Sequence, residues 1–213
     1  VSMVKISVPS TLQQSIVQIG ILLVQSVINS FGSTAIAGYS AGMRIESLSI
    51  VPMLAMGNAM STFTAQNMGA GKIDRVKEGY RMCYVIVLTA GAVLCVMYQL
   101  AGGAFVSLFL DSGSSEAYSV GLSYVKFLSF FYSFIGLKAS TDGLLRGAGD
   151  VTAFTVANLV NLAIRVSVTN LFAPVYGIQV AWMAVPLGWA ANYVISFGWY
   201  LTGKWKKVRV IKK

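Results

Sequence analysis

Histidine is absent from the 213 residues and charge is scarce, with 11% of positions Asp, Glu, Lys or Arg. Soluble globular domains approach a quarter charged residues, so this is not their composition. Without histidine, a His-liganded metal site and a Ser-His-Asp triad are both excluded. Cysteine is nearly absent as well: Cys83 and Cys95 fall twelve residues apart in one apolar segment. They read as small buried hydrophobes rather than a disulfide or a metal pair. The chain opens VSMVKISVPS, with no initiator Met, no basic N-terminal cluster and no cleavage site. The expectation is a piece of a longer chain rather than a protein with a signal peptide.

What is abundant is apolar: 56% of the residues are hydrophobic, and mean hydropathy is +0.70. Six stretches are long and apolar enough to cross a bilayer, which takes about 20 residues each. They run over 8–29, 34–63, 80–102, 119–144, 152–171 and 178–202, separated by SFGS, GAGKIDR, LDSGSSE, LRGAGD and APVYG. The expected fold is all-α and polytopic, a six-helix lobe over 1–203 with a basic tail over 204–213. Pro52 and Pro186 interrupt segments two and six and predict bends there.

Charge sets an orientation. Lys5 precedes segment one; Lys72, Arg75, Lys77 and Arg81 lie between two and three; Arg146 lies between four and five. Lys204, Lys206, Lys207, Arg209, Lys212 and Lys213 follow segment six, while the alternate loops carry no Lys or Arg. This alternation predicts six crossings of the cell inner (plasma) membrane with both ends cytoplasmic. The tail is expected at anionic lipid headgroups, not on nucleic acid.

Against this apolar background the polar positions stand out. In LQQSIVQIGILLVQSVIN (12–29), Gln14, Gln18, Gln25 and Asn29 fall within about 60° of one another at about 100° per residue. Asn158, Asn161, Arg165 and Thr169 repeat the pattern in segment five. Interhelical hydrogen bonding explains one or two such residues per helix. Two helices polar over several turns favour a water-filled cleft. Arg44, Glu46, Lys126, Lys138, Asp142 and Arg165 also fall inside the spans, where a central charge costs about 2.5–3.5 kcal/mol. Lys126 and Asp142 are expected to snorkel, and Lys138 and Asp142 could pair at i, i+4. Arg44 and Glu46 point about 200° apart, and Glu46 is expected to pair with Arg165 or Lys126. Met43, Met53, Met56 and Met60 give segment two a soft surface, suited to varied ligands or to core filling. The run KFLSFFYSFIG (126–136) is open to two readings, an apolar pocket or a lipid-facing surface. MGAGKID is no phosphate loop, because Gln66 stands where glycine is needed and Ile73 where Ser or Thr is needed. With no Gly-x-Ser-x-Gly elbow and no close carboxylate pair at depth, nothing suggests an intramembrane enzyme.

The motifs A-I-A-G-Y (35–39), Q-N-M-G-A-G-K (66–72) and L-R-G-A-G-D (145–150) occur in an order and spacing that resemble one transporter family. It is the multidrug and toxic compound extrusion (MATE) family, and the resemblance is to its carboxy-terminal lobe, helices seven to twelve, of the DinF-like branch. The resemblance implies an antiporter coupled to H+ or Na+ that exports amphipathic, often cationic compounds by alternating access. It implies no cofactor beyond the coupling ion, membrane lipid as surroundings, and an amino-terminal six-helix lobe as partner. Some relatives carry acids near Gln14 and Ile135, and both positions are non-acidic here. Glu46 is therefore the ion-coupling candidate in this lobe. The cavity candidates are Gln14, Gln18, Gln25, Asn29, Arg44, Glu46, Met53, Asn158, Asn161 and Arg165. A lipid-linked oligosaccharide flippase and a non-transporting scaffold are the competing readings.

Overall fold

A bilayer offers no water to backbone N–H and C=O groups, so an apolar chain closes its hydrogen bonds within helices. The computed structural model describes residues 2–111 and 115–207, with side chains from 15 to 111 and from 116 to 206. Its order is α1 (Ser2–Asn29), α2 (Ser33–Gly69), α3 (Ile73–Ser107), α4 (Ser115–Ser129), α5 (Tyr132–Gly147), α6 (Val151–Tyr176) and α7 (Gln179–Leu201). A 3-10 turn over Lys204–Lys207 follows. Helices α2, α3, α6 and α7 are each long and apolar enough to span a membrane, and α4 with α5 forms a fifth, bent pair. The part of α1 whose side chains are described, 15–29, is a shorter apolar stretch of a 28-residue helix. Leu22, Leu48, Val51, Leu100, Leu171 and Val194 lie exposed on the outside, as lipid-facing residues do.

The helices overrun the apolar segments read from the sequence. Helix α2 has 37 residues, about 55 Å at 1.5 Å per residue, against a hydrocarbon core of about 30 Å. The start of α3 carries the basic residues Arg75, Lys77 and Arg81, and the connection is only 70–72, with Lys72 in it. Helices α2 and α5 end in the same way. Gly71 (φ 71°) and Gly149 (φ 84°) take the left-handed conformation. Their N–H groups bond Met68 O and Arg146 O, while the following N–H groups of Lys72 and Asp150 reach back to Asn67 O and Leu145 O. This double cap needs a glycine, so MGAGK and RGAGD are helix ends.

Three expectations are corrected. Pro52 and Pro186 do not interrupt their segments: both lie inside continuous helices, as does Pro174 in α6. A proline removes one backbone bond, and a helix packed among others tolerates that loss. Segment four, read as one helix, is instead broken at 130–131, with a bend of 53° between its halves. Gln99 of α3 bonds to the α4 side of the break. Its Nε2 donates to Lys126 O at 2.9 Å and to Ser129 Oγ at 2.9 Å, and Ser129 Oγ donates to the same carbonyl at 2.7 Å. Asp142, expected to snorkel, is buried at 5% exposure.

Helix α2 runs along the whole bent pair through small residues. A Cβ on Gly57 would lie 2.6 Å from Ala139 O, one on Gly143 would strike Gly57 O, and one on Gly147 would strike Ser61 O. Pairing 57 with 143 and 61 with 147 makes α2 and α5 parallel, with small residues every fourth position on both. Nearer the other end Gly38 meets Ala117 O and Gly42 meets the Tyr124 ring. Gly143→Val is therefore expected to destabilise the protein by about 1–3 kcal/mol through overpacking. Gly198, with nothing within 4 Å, should accept Ala within about 0.5 kcal/mol. Thermal unfolding in detergent checks both.

Candidate functional site

Helix α1 packs mainly on α6, using Gly20, Val24 and Ile28 as its buried face. The approach is close because Gly20 sits on the Leu162 side chain. The amide stripe lies beside this face rather than in it. Gln18 and Asn29 are exposed and Gln25 is half-buried, with Gln25 Nε2 donating to Asn29 Oδ1 at 3.0 Å. Among the described residues no hydrogen bond joins these amides to another helix. The side chain of Gln14 lies outside the described residues. Where α1, α2 and α6 meet, a narrow cleft is lined by Gly20, Ile21, Val24 and Gln25, by Tyr39 and Met43, and by Leu162 and Arg165. Its volume of about 20 Å³ suffices for roughly one water-sized group.

Helix α6 does not present its polar stripe to that cleft as a unit. Helix α7 packs across it at Gly188, where an added Cβ would meet Asn161 Oδ1 and would lie 3.0 Å from Arg165 Cγ. Asn161 Oδ1 and Thr169 Oγ1 are buried without a hydrogen-bond partner among the described residues. Asn158 Oδ1 accepts from Lys138 Nζ at 3.1 Å. Arg165 alone of the four lines the cleft.

Glu46 is 9% exposed and accepts a short hydrogen bond from the Tyr124 hydroxyl. The expected ion pair with Arg165 or Lys126 does not form. The two ion pairs among the described residues are Lys77–Asp74 and Lys138–Asp142. Arg165 instead acts on Glu46 through its charge at longer range. Rings close the site: Tyr124 packs edge-on against Tyr39 at 5.2 Å and against Trp182 of α7 at 5.6 Å. Tyr39, which lines the cleft, thus touches the ring whose hydroxyl holds Glu46. Arg44 points elsewhere, as the angle of about 200° requires; it is exposed, with its guanidinium 6.0 Å from the Phe109 ring. Met53 is corrected to a core residue: at 1% exposure it fills the space between α2 and α5 beside Gly136.

A second polar cluster joins α5, α6 and α7. Lys138 Nζ lies 3.2 Å from Asp142 Oδ2, and Ser196 Oγ donates to Asp142 Oδ1 at 2.7 Å. Asn192, fully buried, holds its Nδ2 unpartnered among the described residues beside Ser196. The sequence reading missed Asn192, Ser196, Tyr39 and Tyr124. Asn192 and Ser196 carried a usable signal, two polar residues four apart in an apolar run; the tyrosines carried none. Cys83 and Cys95 are both free. The run 126–136 contributes Phe127, Phe131 and Phe134 to an apolar groove of about 330 Å³ against Met183, Pro186, Leu187 and Ala190 of α7.

Comparison with known proteins adds a family. The family model described as MatE matches residues 9–171. The chain is 28% identical over 207 residues to the probable multidrug resistance protein YpnP of Bacillus subtilis, covering 97% of this chain and 46% of that one. It is 24% identical over 215 residues to the probable multidrug resistance protein YoeA of the same organism, covering 100% and 46%. The chain thus spans about half the length of these relatives. A solved structure, the outward-facing conformation of a multidrug resistance MATE family transporter of the MOP superfamily, superposes with a TM-score of 0.85. The match is 17% identical and covers 98% of this chain and 47% of that one, a likeness of fold.

The α5–α7 cluster makes a thermodynamic prediction. Lys138→Met leaves the Asp142 carboxylate buried with Ser196 alone, and should cost about 3–5 kcal/mol of stability. Adding Asp142→Leu should restore most of that loss, because an apolar pair of similar volume avoids burying a lone charge. Melting temperatures of the two variants in the full-length protein decide it.

Proposed function

The chain belongs to the MatE family, the multidrug and toxic compound extrusion transporters, and on that premise we propose that it forms the carboxy-terminal lobe of a cation-coupled drug antiporter. It is a multi-pass membrane protein of a transporter family, not an enzyme. With α4 and α5 counted as one span and α1 as another, it crosses the inner membrane six times with both ends cytoplasmic. The basic residues after α2, after α5 and beyond residue 203 support that orientation. Residues 204–213 form the basic tail at the lipid headgroups. The lobe works with an amino-terminal six-helix partner across a central cavity, and its substrates are small amphipathic, often cationic compounds.

One observation carries this reading. Among the described residues the amides of α1 are left uncommitted to other helices, since Gln18 and Asn29 are exposed and the bond of Gln25 is to Asn29 in its own helix. Such a face is costly against hydrocarbon and suits a hydrated cavity shared with a second lobe. The scaffold reading needs these amides to bind neighbouring helices, and α6 packs on α1 through Gly20, Val24 and Ile28 instead. The flippase reading calls for more arginine along the cavity than Arg165.

Glu46 is the group proposed to exchange H+ or Na+. It is a buried carboxylate whose described contact is a phenol rather than a cation, the kind of environment in which a carboxyl group changes protonation state during a transport cycle. No further cofactor is proposed. Movement between states is rocking of one lobe against the other.

Two experiments in the full-length protein test the proposal. Glu46→Gln should abolish ion-gradient-driven efflux from proteoliposomes; unchanged efflux makes Glu46 structural. In a background free of Cys83 and Cys95, cysteines at Gln18 and Gln25 should react with a membrane-impermeant maleimide in one conformation and be protected in the other. Protection in both conformations favours the scaffold.

A further inference from the structure

We infer that Arg165 and Gln25 form an oxyanion-binding subsite, which makes the lobe selective for amphipathic substrates that carry a carboxylate or similar group. The inference rests on the reading that this face borders the transport cavity, and it narrows the substrate class beyond amphipathic cations.

The charges around the cleft carry the argument. Of the other charges inside the spans, Glu46 is engaged by the Tyr124 hydroxyl and Lys138 and Asp142 by each other, while Arg44 and Lys126 do not line the cleft. Arg165 lines the cleft half-buried, and among the described residues its guanidinium has neither a hydrogen bond nor an ion pair. A guanidinium presents five N–H donors in a planar fork matched to a carboxylate or phosphate. A half-buried guanidinium with no partner among the described residues keeps that fork open to a ligand. Gln25 lines the same cleft and uses its amide nitrogen once, toward Asn29, which leaves a second N–H to donate. Tyr39 contributes the third polar side chain of the lining. No carboxylate lines the cleft.

Size points the same way. About 20 Å³ of space in the cleft admits one small group, not a drug, so a substrate would place only its charged end here. Its apolar body would remain in the larger cavity between lobes. Glu46 does not substitute for the ligand, because no ion pair joins it to Arg165 and the Tyr39 and Tyr124 rings pack together beside it.

A matched dye pair tests this in the full-length transporter purified in detergent. Rhodamine 110 carries a free carboxylate; rhodamine 123 is its methyl ester and otherwise the same molecule. Binding is read by fluorescence anisotropy, with melting temperature followed in parallel. Arg165→Gln should weaken rhodamine 110 at least tenfold while leaving rhodamine 123 within twofold, and Arg165→Lys should fall between. Should Arg165→Gln fail to fold, Gln25→Leu is expected to weaken the acid about threefold and spare the ester. Equal loss of both dyes, no loss of the acid, or no binding of the acid to the unsubstituted protein overturns the inference. If the discrimination holds but proteoliposomes transport neither dye, the oxyanion subsite stands and the transport reading fails.

Discussion

The rest of the lobe depends on how near α2 can come to the bent pair α4–α5. At Gly57, Gly143 and Gly147 the contact is backbone against backbone, and at Gly38 backbone meets backbone again beyond the bend. In lipid there is no hydrophobic drive to press helices together, so dispersion at close range must do it, and only small residues allow that range. The alignment also fixes which α2 side chains face the pair. Glu46 lies between the two zones of glycine contact and meets Tyr124, not another glycine. The site thus occupies the interval where the close packing is relieved.

The lobe holds its deep carboxylates in two ways. Asp142 is neutralised by Lys138 one turn earlier and steadied by Ser196, an arrangement in which removing either charge strands the other. Among the described residues Glu46 has no cation in contact; it has a phenolic donor and aromatic rings on the neighbouring helices. The first carboxylate is held by a cation and the second by a phenol. This contrast, more than depth alone, singles out Glu46 as the residue to examine for coupling.

The fold was legible in the sequence wherever a feature is local. The apolar runs marked the helices, and the two G-A-G strings marked where α2 and α5 stop. The charged stretch 73–79 was misread as loop, because a helix that projects past the membrane no longer needs apolar residues. The break at 130–131 left no mark in FLSFFYSFIG, which has no glycine or proline at that point; its partner, Gln99, stands about thirty residues away. For the site, the period of 3.6 found the amides of α1 and the stripe of α6, yet it could not say which neighbour covers which face. That is why Met53 proved to be core, Asn158 and Asn161 were taken up by Lys138 and Gly188, and Arg165 alone reached the cleft.

A bent helix in a transporter suggests a joint. In this lobe the carbonyl of Lys126, freed where α4 ends, is held by the Gln99 amide from α3 and by Ser129. Straightening or further folding the elbow would strip a partner from that amide in a medium that supplies no replacement. The angle is accordingly a brace: α2 and α3 hold the bent pair through the glycine contacts and the Gln99 amide, and the cleft opens away from them, at the seam where α1 meets α6.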